Sequence, residues 1–331
     1  MRHWDGIAPA SIASRPVFSV DGRTFEWADI TAAARSDGSW AELEKATRNG
    51  LACQKRLAVA GQKLGADVIA DAARRFRYAR NLLAGDELTA WLAHWELTAE
   101  EWHGYLVRML LRERWMGELI DTGSRFSTGA DELASAVWVE AVCSGFLTRA
   151  ADRVAGDAAL AVAVGHAIGG AGEQEHMFAR IRVVASRARA AAVSEASIAR
   201  EVALHRLEWV RIDGEILTVR VEDAAREAAL CIRGDGRSLA DVAAACDVEP
   251  SRLSLYVADA DTDLSPALLA AQEGELIGPI RRDEAFALLL IETKTPPSTT
   301  DANVRQRAVE RIVERAVRRA IDEHVEWHEH R

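Results

Sequence analysis

The stretch Leu264–Pro297, LSPALLAAQEGELIGPIRRDEAFALLLIETKTPP, decides how the rest of the chain is read. Ser265 to Ala271 has the pattern of a short helical turn, and Glu273-Gly274-Glu275 ends it. Leu276 and Ile277 lead into Gly278-Pro279. After a polar turn, Arg281-Arg282-Asp283-Glu284, the run Ala285 to Ile291 is nearly all apolar and bounded by polar residues. Such a run predicts a buried strand. Pro296-Pro297 stop it, because proline cannot donate to a ladder.

Immediately upstream the pattern is similar in kind. Leu207, Trp209 and Ile212 alternate, and Glu215 to Val219 predicts a strand. Glu222 to Ile232 and Ser238 to Ala245 predict helices. Leu253, Leu255 and Val257 alternate as a second strand. The order across 206–297 is therefore strand, helices, strand, short helix, strand. Downstream, 301–326 predicts one long helix. Val304, Ala308, Ile312, Ala316 and Ala320 form one row and Val309, Val313, Val317, Ile321 and Val325 the next. A stripe that broad, about 100°, must be buried.

The N-terminal part is helical after a small hairpin over Val17–Trp27 that turns at Asp21-Gly22. Ser39 is a candidate cap for a helix carrying Leu43, Ala46, Leu51 and Leu57. Gly65-Ala66-Asp67 breaks it, and a second helix runs to about Leu83. Glu87–His94 is a third. Thr98 and Glu101 have capping-box spacing, so each can satisfy an orphan amide. Leu106, Met109, Leu110 and Trp115 follow at helical spacing. Residues 127–200 are Ala-rich, with Val137–Val154 and Ala158–Ile168 as two apolar-periodic segments.

Composition bounds the function. The chain has 331 residues, 49% of them hydrophobic and 28% charged, enough for two globular domains. A net charge of -10 argues against general binding to phosphate backbones. The four cysteines lack any CxxC pair and read as reduced thiols of a cytoplasmic protein. The first residues, MRHWDGIAPASIASRPV, hold no signal-peptide core, and no window has the ~18 apolar residues of a membrane span. No motif calls for a cofactor.

The order helix, Gly turn, Gly-Pro and buried strand resembles the last third of a parvulin-type (PpiC-like) peptidyl-prolyl isomerase domain. The VDG strand followed by helices ending in LTAEEWHGYLVRMLLRERW resembles the N-terminal domain of SurA-type chaperones. The resemblance implies an α+β chain: a mainly helical SurA-like domain (1–125), an additional helical segment (126–205), a parvulin-like α/β domain (206–298), and a C-terminal helix (299–331) packing back on the N-terminal domain. It also implies a site. Proline isomerisation faces a barrier of ~18–20 kcal/mol, which active parvulins lower with two histidines on adjacent strands beside an apolar pocket. The first histidine position matches Glu215 and the second Ala287, so the implied active site is degenerate. The expected function is a cytoplasmic peptide-binding chaperone or accessory protein. Its implied partners are an extended or proline-containing peptide or, as in ribosomal-peptide maturation, a precursor peptide and its modifying enzyme. The alternatives are an active isomerase and an enzyme of peptide maturation with new chemistry on this fold.

Phe286, Tyr256, Leu268, Leu269 and Leu276 are candidates to line a peptide cleft, against the plainer reading that they are core. Trp91 and Trp95, spaced i, i+4, either line a client surface or fill a core. Ser238–Tyr256 also has the outline of a helix-turn-helix, but its second helix offers only Arg252 to a groove. Gly165–Gly172 is Gly-dense, yet lacks the Lys-Ser/Thr end of a phosphate cradle and reads as a helix break. His324 and His328, with His330 near, have ligand spacing but sit on a helix end expected to fray, so no metal is assigned.

Overall fold

The computed structural model describes residues 9–115, 117, 126, 128–168 and 174–328. The fold is α+β, and the chain divides into two compact units: Met1–Ala190 with Ala316–Arg331, and Ala191–Arg315.

The first unit opens with helix α1 (Ala10–Ala13) and the hairpin β1 (Pro16–Val20) and β2 (Arg23–Glu26). Asp21 and Gly22 both have positive φ, 50° and 76°, which a right-twisted two-residue hairpin requires. The described helices that follow are α2 (Trp27–Ser36), α3 (Ser39–Val59), α4 (Ala66–Tyr78), α5 (Gly85–His94), α6 (Ala99–Arg114) and, in the alanine-rich part, α7 (Ala130–Cys143). Then come α8 (Phe146–Ala163) and α9 (Gln174–Ala192). Their apolar faces meet in one core around Phe18, Phe25, Ile30, Leu106, Trp138 and Leu147.

Three local expectations need correction here. The cap of α3 is Gly38, not Ser39, whose hydroxyl instead donates to the Ala34 carbonyl. α4 stops at Tyr78 because Asn81 turns left-handed (φ 55°), and Leu82 N–H then closes onto the Arg77 carbonyl. The apolar run Val137–Val154 is two helices, since Gly145 at φ +72° breaks it. The capping box is present: Thr98 N–H donates to Glu101 Oε2 (2.7 Å) and Glu101 N–H to Thr98 Oγ1 (3.1 Å). Gly169 to Gly172, in the Gly-dense stretch, lie outside the described residues.

The second unit contains α10 (Glu195–Leu204), β3 (Arg211–Val219), α11 (Glu222–Arg233), α12 (Leu239–Ala245), β4 (Ser251–Tyr256), α13 (Ser265–Ala270), β5 (Leu276–Arg282) and β6 (Ala285–Thr295). The four strands form one antiparallel sheet in the order β4-β3-β6-β5. Alternation sends Leu217, Val219, Leu276 and Leu288 to one face, beneath α11 and α12. It sends Ile212, Ala287, Leu289 and Ile291 to the other, against Leu264 and Leu268 at α13. Burying each such leucine stabilises by roughly 1.5–3 kcal/mol. Gly214 is required where β3 shifts register against β6, because a Cβ there would lie 2.1 Å from the Leu290 carbonyl oxygen.

Arg281 and Arg282 belong to β5 rather than to a polar turn; the turn is Asp283-Glu284, with Asp283 at φ 51°. The helix-turn-helix outline also fails, because Ser251–Tyr256 is a sheet strand and Arg252 lies in it.

The long helix α14 (Ala302–His324) ends in a strand, β7 (Val325–Trp327), that the periodicity did not predict. In the first unit β7 pairs antiparallel with β1, Phe18 opposite Trp327 and Val20 opposite Val325. Val317, Ala320 and Ile321 pack there on Ala159, Leu160 and Ala185. In the second unit Val304, Ala308 and Ile312 pack on Ile198, Val202, Trp209 and Tyr256.

Candidate functional site

The residues that mark the two histidine positions do not converge. Glu215 is paired with Leu290, on the α11/α12 side of the sheet. Ala287 is paired with Thr218 and packs on the α13 side, fully buried. Side chains at these two positions project from opposite faces, so they cannot share one substrate atom.

The apolar candidates are likewise spread over separate layers. Leu276 and the half-buried Phe286 pack with Leu217 and Val219 under α11 and α12. Leu268 is completely buried on the other face, and its neighbour Leu269 is 37% exposed. Trp91 and Trp95 lie within the first unit's core. Trp91 stands edge-on to Phe76 (5.5 Å), and Trp95 edge-on to Trp27 (5.2 Å).

Tyr256 lines an open cleft. The cleft is about 800 Å³ and is lined by Arg211, Ser254, Leu255 and Tyr256 of the strands, by Asp259, and by Asn303, Gln306, Arg307 and Glu310 of α14. Tyr256 is there because β4 ends at it and the next turn, Val257–Asp259, carries the chain off the sheet. Its ring packs in the apolar cluster with Trp209 and Val304, while the Arg307 guanidinium lies 4.4 Å from the ring centroid. Its hydroxyl is buried without a hydrogen-bond partner among the described residues.

Three of the four charged lining residues are ion-paired; the fourth, Glu310, accepts a hydrogen bond from the neutral Gln306 amide (2.9 Å). Arg307 donates to both oxygens of Asp259, and this bond raises the Arg307 pKa above its ordinary value. Arg211 donates to Asp213 (2.9 Å), and Ser254 donates to the same carboxylate (2.6 Å). The Ser254 bond, with help from Arg211, holds Asp213 below the usual carboxylate range. Further along β4, Arg252 reaches Glu292 (2.6 Å). Such a lining leaves a ligand no free guanidinium, and no nucleophile–base pair stands in it. Sequence reasoning named Tyr256 but not the others, because the cleft joins residues up to about 100 positions apart.

Among the described residues no group of three or more His, Cys, Asp or Glu is placed to hold a metal. His324 and His328 are not a fraying pair: β7 separates them, and His328 Nε2 lies 2.6 Å from Ser19 Oγ. His330 lies outside the described residues. The four cysteines are free thiols. No described helix is long and apolar enough to cross a membrane.

No protein-family model matches the sequence, and comparison with curated proteins finds no relative. Two solved structures are similar in part. One comes from work on two SurA-like chaperones of Campylobacter jejuni, PEB4 and the periplasmic protein Cj1289, with 10% identity over 96% of this chain and 100% of that one and a TM-score of 0.22. The other is the foldase protein PrsA of Lactococcus lactis, with 12% identity over 96% of each chain and a TM-score of 0.29. At those scores the likeness carries no structural argument, and the functional reading rests on the units themselves.

Proposed function

We propose that this protein is a chaperone-like peptide-binding protein whose second unit is parvulin-like in fold and without prolyl isomerase activity. The observation that carries the reading is the cleft at Tyr256: open, walled by a sheet strand and a helix, both its guanidinium groups held by carboxylates, with no acid–base pair in it. One feature of the second unit supports the parvulin-like part: the order strand, two helices, strand, short helix, strand, strand on a four-stranded antiparallel sheet. The inactive part rests on Glu215 and Ala287, neither of which offers an imidazole. In this reading the parvulin-like part spans 206–298, with the helices of 1–205 and 299–331 serving it. The protein acts in the cytoplasm, and its client is an extended peptide, such as a ribosomal precursor peptide held for its modifying enzyme.

The test has two arms. The full chain, added in equimolar amount to a heat-labile client protein, is expected to suppress the client's light scattering. In a short X-Pro peptide assay it is expected to leave isomerisation at the spontaneous rate. Unimpeded client aggregation overturns the chaperone reading; catalysis well above background overturns the inactive one.

A further inference from the structure

The two edges of the second unit's sheet are built differently. β5, at one edge, carries Pro279, which has no N–H, a register shift against β6 between Ile277 and Ile280, and the exposed charges Arg281 and Arg282. Proline, bulges and edge charges are the devices that keep a strand from adding to an edge. β4, at the other edge, has none of the first two. Its six residues pair with β3 in unbroken register, from Arg211 opposite Tyr256 to Ile216 opposite Ser251. Its one charge, Arg252, is drawn across the sheet to Glu292. Among the described residues no backbone hydrogen bond is made to its outer side. Ser254, Leu255 and Tyr256 of this strand also line the cleft.

We infer that β4 binds a client segment by strand addition: an extended, uncharged peptide pairs its main chain with Ser251–Tyr256 and runs into the cleft beside α14. Alternate residues of an edge strand turn both N–H and C=O outward, so the ligand must offer both. The lining's cations are already taken, Arg307 by Asp259 and Arg211 by Asp213, and the remaining carboxylate, Glu310, accepts from Gln306, so an anionic ligand finds no counter-ion there. The polar groups left over, the Tyr256 hydroxyl and the exposed Asn303 amide, are neutral and suit main-chain amides. Asn303, Gln306 and Glu310 wall the cleft at the Tyr256 end of the edge, beside which the ligand strand would lie. Proline at a ladder position is disfavoured in such a ligand, since it removes a donor.

This inference rests on the chaperone-like reading and deepens it. The probe is a capped ten-residue peptide of alternating threonine and valine, in three forms: unmodified, N-methylated at the even residues and N-methylated at the odd residues. N-methylation removes donors along one edge only and leaves the protein untouched. The expected result is that the unmodified peptide binds the full chain and that one methylated form binds at least tenfold more weakly than the other. Amide exchange in 251–256 should slow at least tenfold on binding. Between 0.05 and 0.5 M salt the affinity should change less than twofold, because no net charge is engaged. Equal binding of both methylated forms, no binding of the parent peptide, or a steep salt dependence overturns the inference. So does a dimer, seen by sedimentation, that the peptide dissolves, because the edge then belongs to a second copy. Client protection that persists with equal binding of both methylated forms removes strand addition and leaves the chaperone reading. Strand binding without client protection does the reverse.

Discussion

Two regions of the molecule handle paired charge in opposite ways. Where α3, α6 and α7 meet in the first unit, Glu140 is 2% exposed and takes hydrogen bonds from both Arg108 and Arg112. Arg112 also donates to the Ala46 carbonyl (3.1 Å), so one carboxylate and two guanidinium groups fasten three helices. The contact is tight: a Cβ on Gly50 would lie 3.0 Å from the Arg108 Cβ. In the second unit's cleft the pairs Arg307–Asp259 and Arg211–Asp213 stand partly in water. The first arrangement fixes a core and can bind nothing. The second contributes little to stability and leaves its surroundings open to a ligand.

Breaking the first pair should have the largest effect. Glu140→Ala leaves two guanidinium groups without their carboxylate, one of them Arg108, already 5% exposed with a buried Nη2 that has no partner. Removing one member of a buried pair costs about 3–5 kcal/mol. The matching cleft variant, Asp259→Ala, should cost under about 1 kcal/mol. Urea unfolding of both measures the contrast, and equal losses would break it.

Alkaline pH should act on the first unit next. Burial pushes the Tyr105 hydroxyl from 10.0 up to about 12, and the Cys143 thiol from 9.0 to about 12. Both groups are therefore held neutral in the fold more firmly than in the unfolded chain. Their contribution is complete below the unfolded values and is lost as pH rises toward 12. For Tyr105 the loss is of the order of 2 kcal/mol. Melting temperature should fall steadily between pH 9 and 11, with Tyr105→Phe falling less steeply. A flat profile would place these groups in water.

The same burial predicts selective alkylation, with no cost in stability. Cys53 and Cys143 are buried and their thiol pKa values raised, while Cys231 and Cys246 are partly exposed. Iodoacetamide at pH 8 should modify the latter pair in the native protein and all four only in urea, because the thiolate is the nucleophile. Mass spectrometry of the labelled peptides reads the difference.

What was legible in the sequence was local. The Thr98–Glu101 box, the Asp21-Gly22 turn and the apolar run of β6 each depend on neighbours a few residues apart, and the structure contains all three. Of the stripe over 301–326, Val304, Ala308, Ile312 and Ala320 are buried and the second row, Val309 to Val325, only half-buried, and the strand that follows α14 was not readable. β7 exists because Val325 and Trp327 find Val20 and Phe18, some 300 residues away. Leu276 to Arg282 was not legible as a strand, because Gly278 and Pro279 interrupt the alternation that marks one and Arg281 and Arg282 look like part of a polar turn. The helix crossing at Glu140 was invisible for the same reason as the cleft: its partners lie 28 and 32 residues away. Tyr256 was found as an aromatic at a strand end, whereas Arg307 and Asp259 look like ordinary surface charges until α14 is in place.

The smallest effect is expected at Asp213, and its pH dependence has the opposite sign to that of Tyr105. Ser254 and Arg211 hold its carboxylate below the ordinary range. A depressed folded pKa contributes stability that is present above the unfolded value, about 3.9, and is lost as pH falls through the folded value. Between pH 5 and 8 the contribution is therefore constant. It should disappear only below about pH 4. Asp213 is partly exposed, so solvent screening limits the effect to under about 1 kcal/mol. Urea midpoints of Asp213→Asn and the parent should differ slightly at pH 6, and the difference should shrink as the pH falls below the unfolded value. Asp213 thereby ties the edge strand, through Ser254, to the neighbouring strand's Arg211. A midpoint difference that grows as the pH falls would mean that these two bonds do not hold the carboxylate in its charged form.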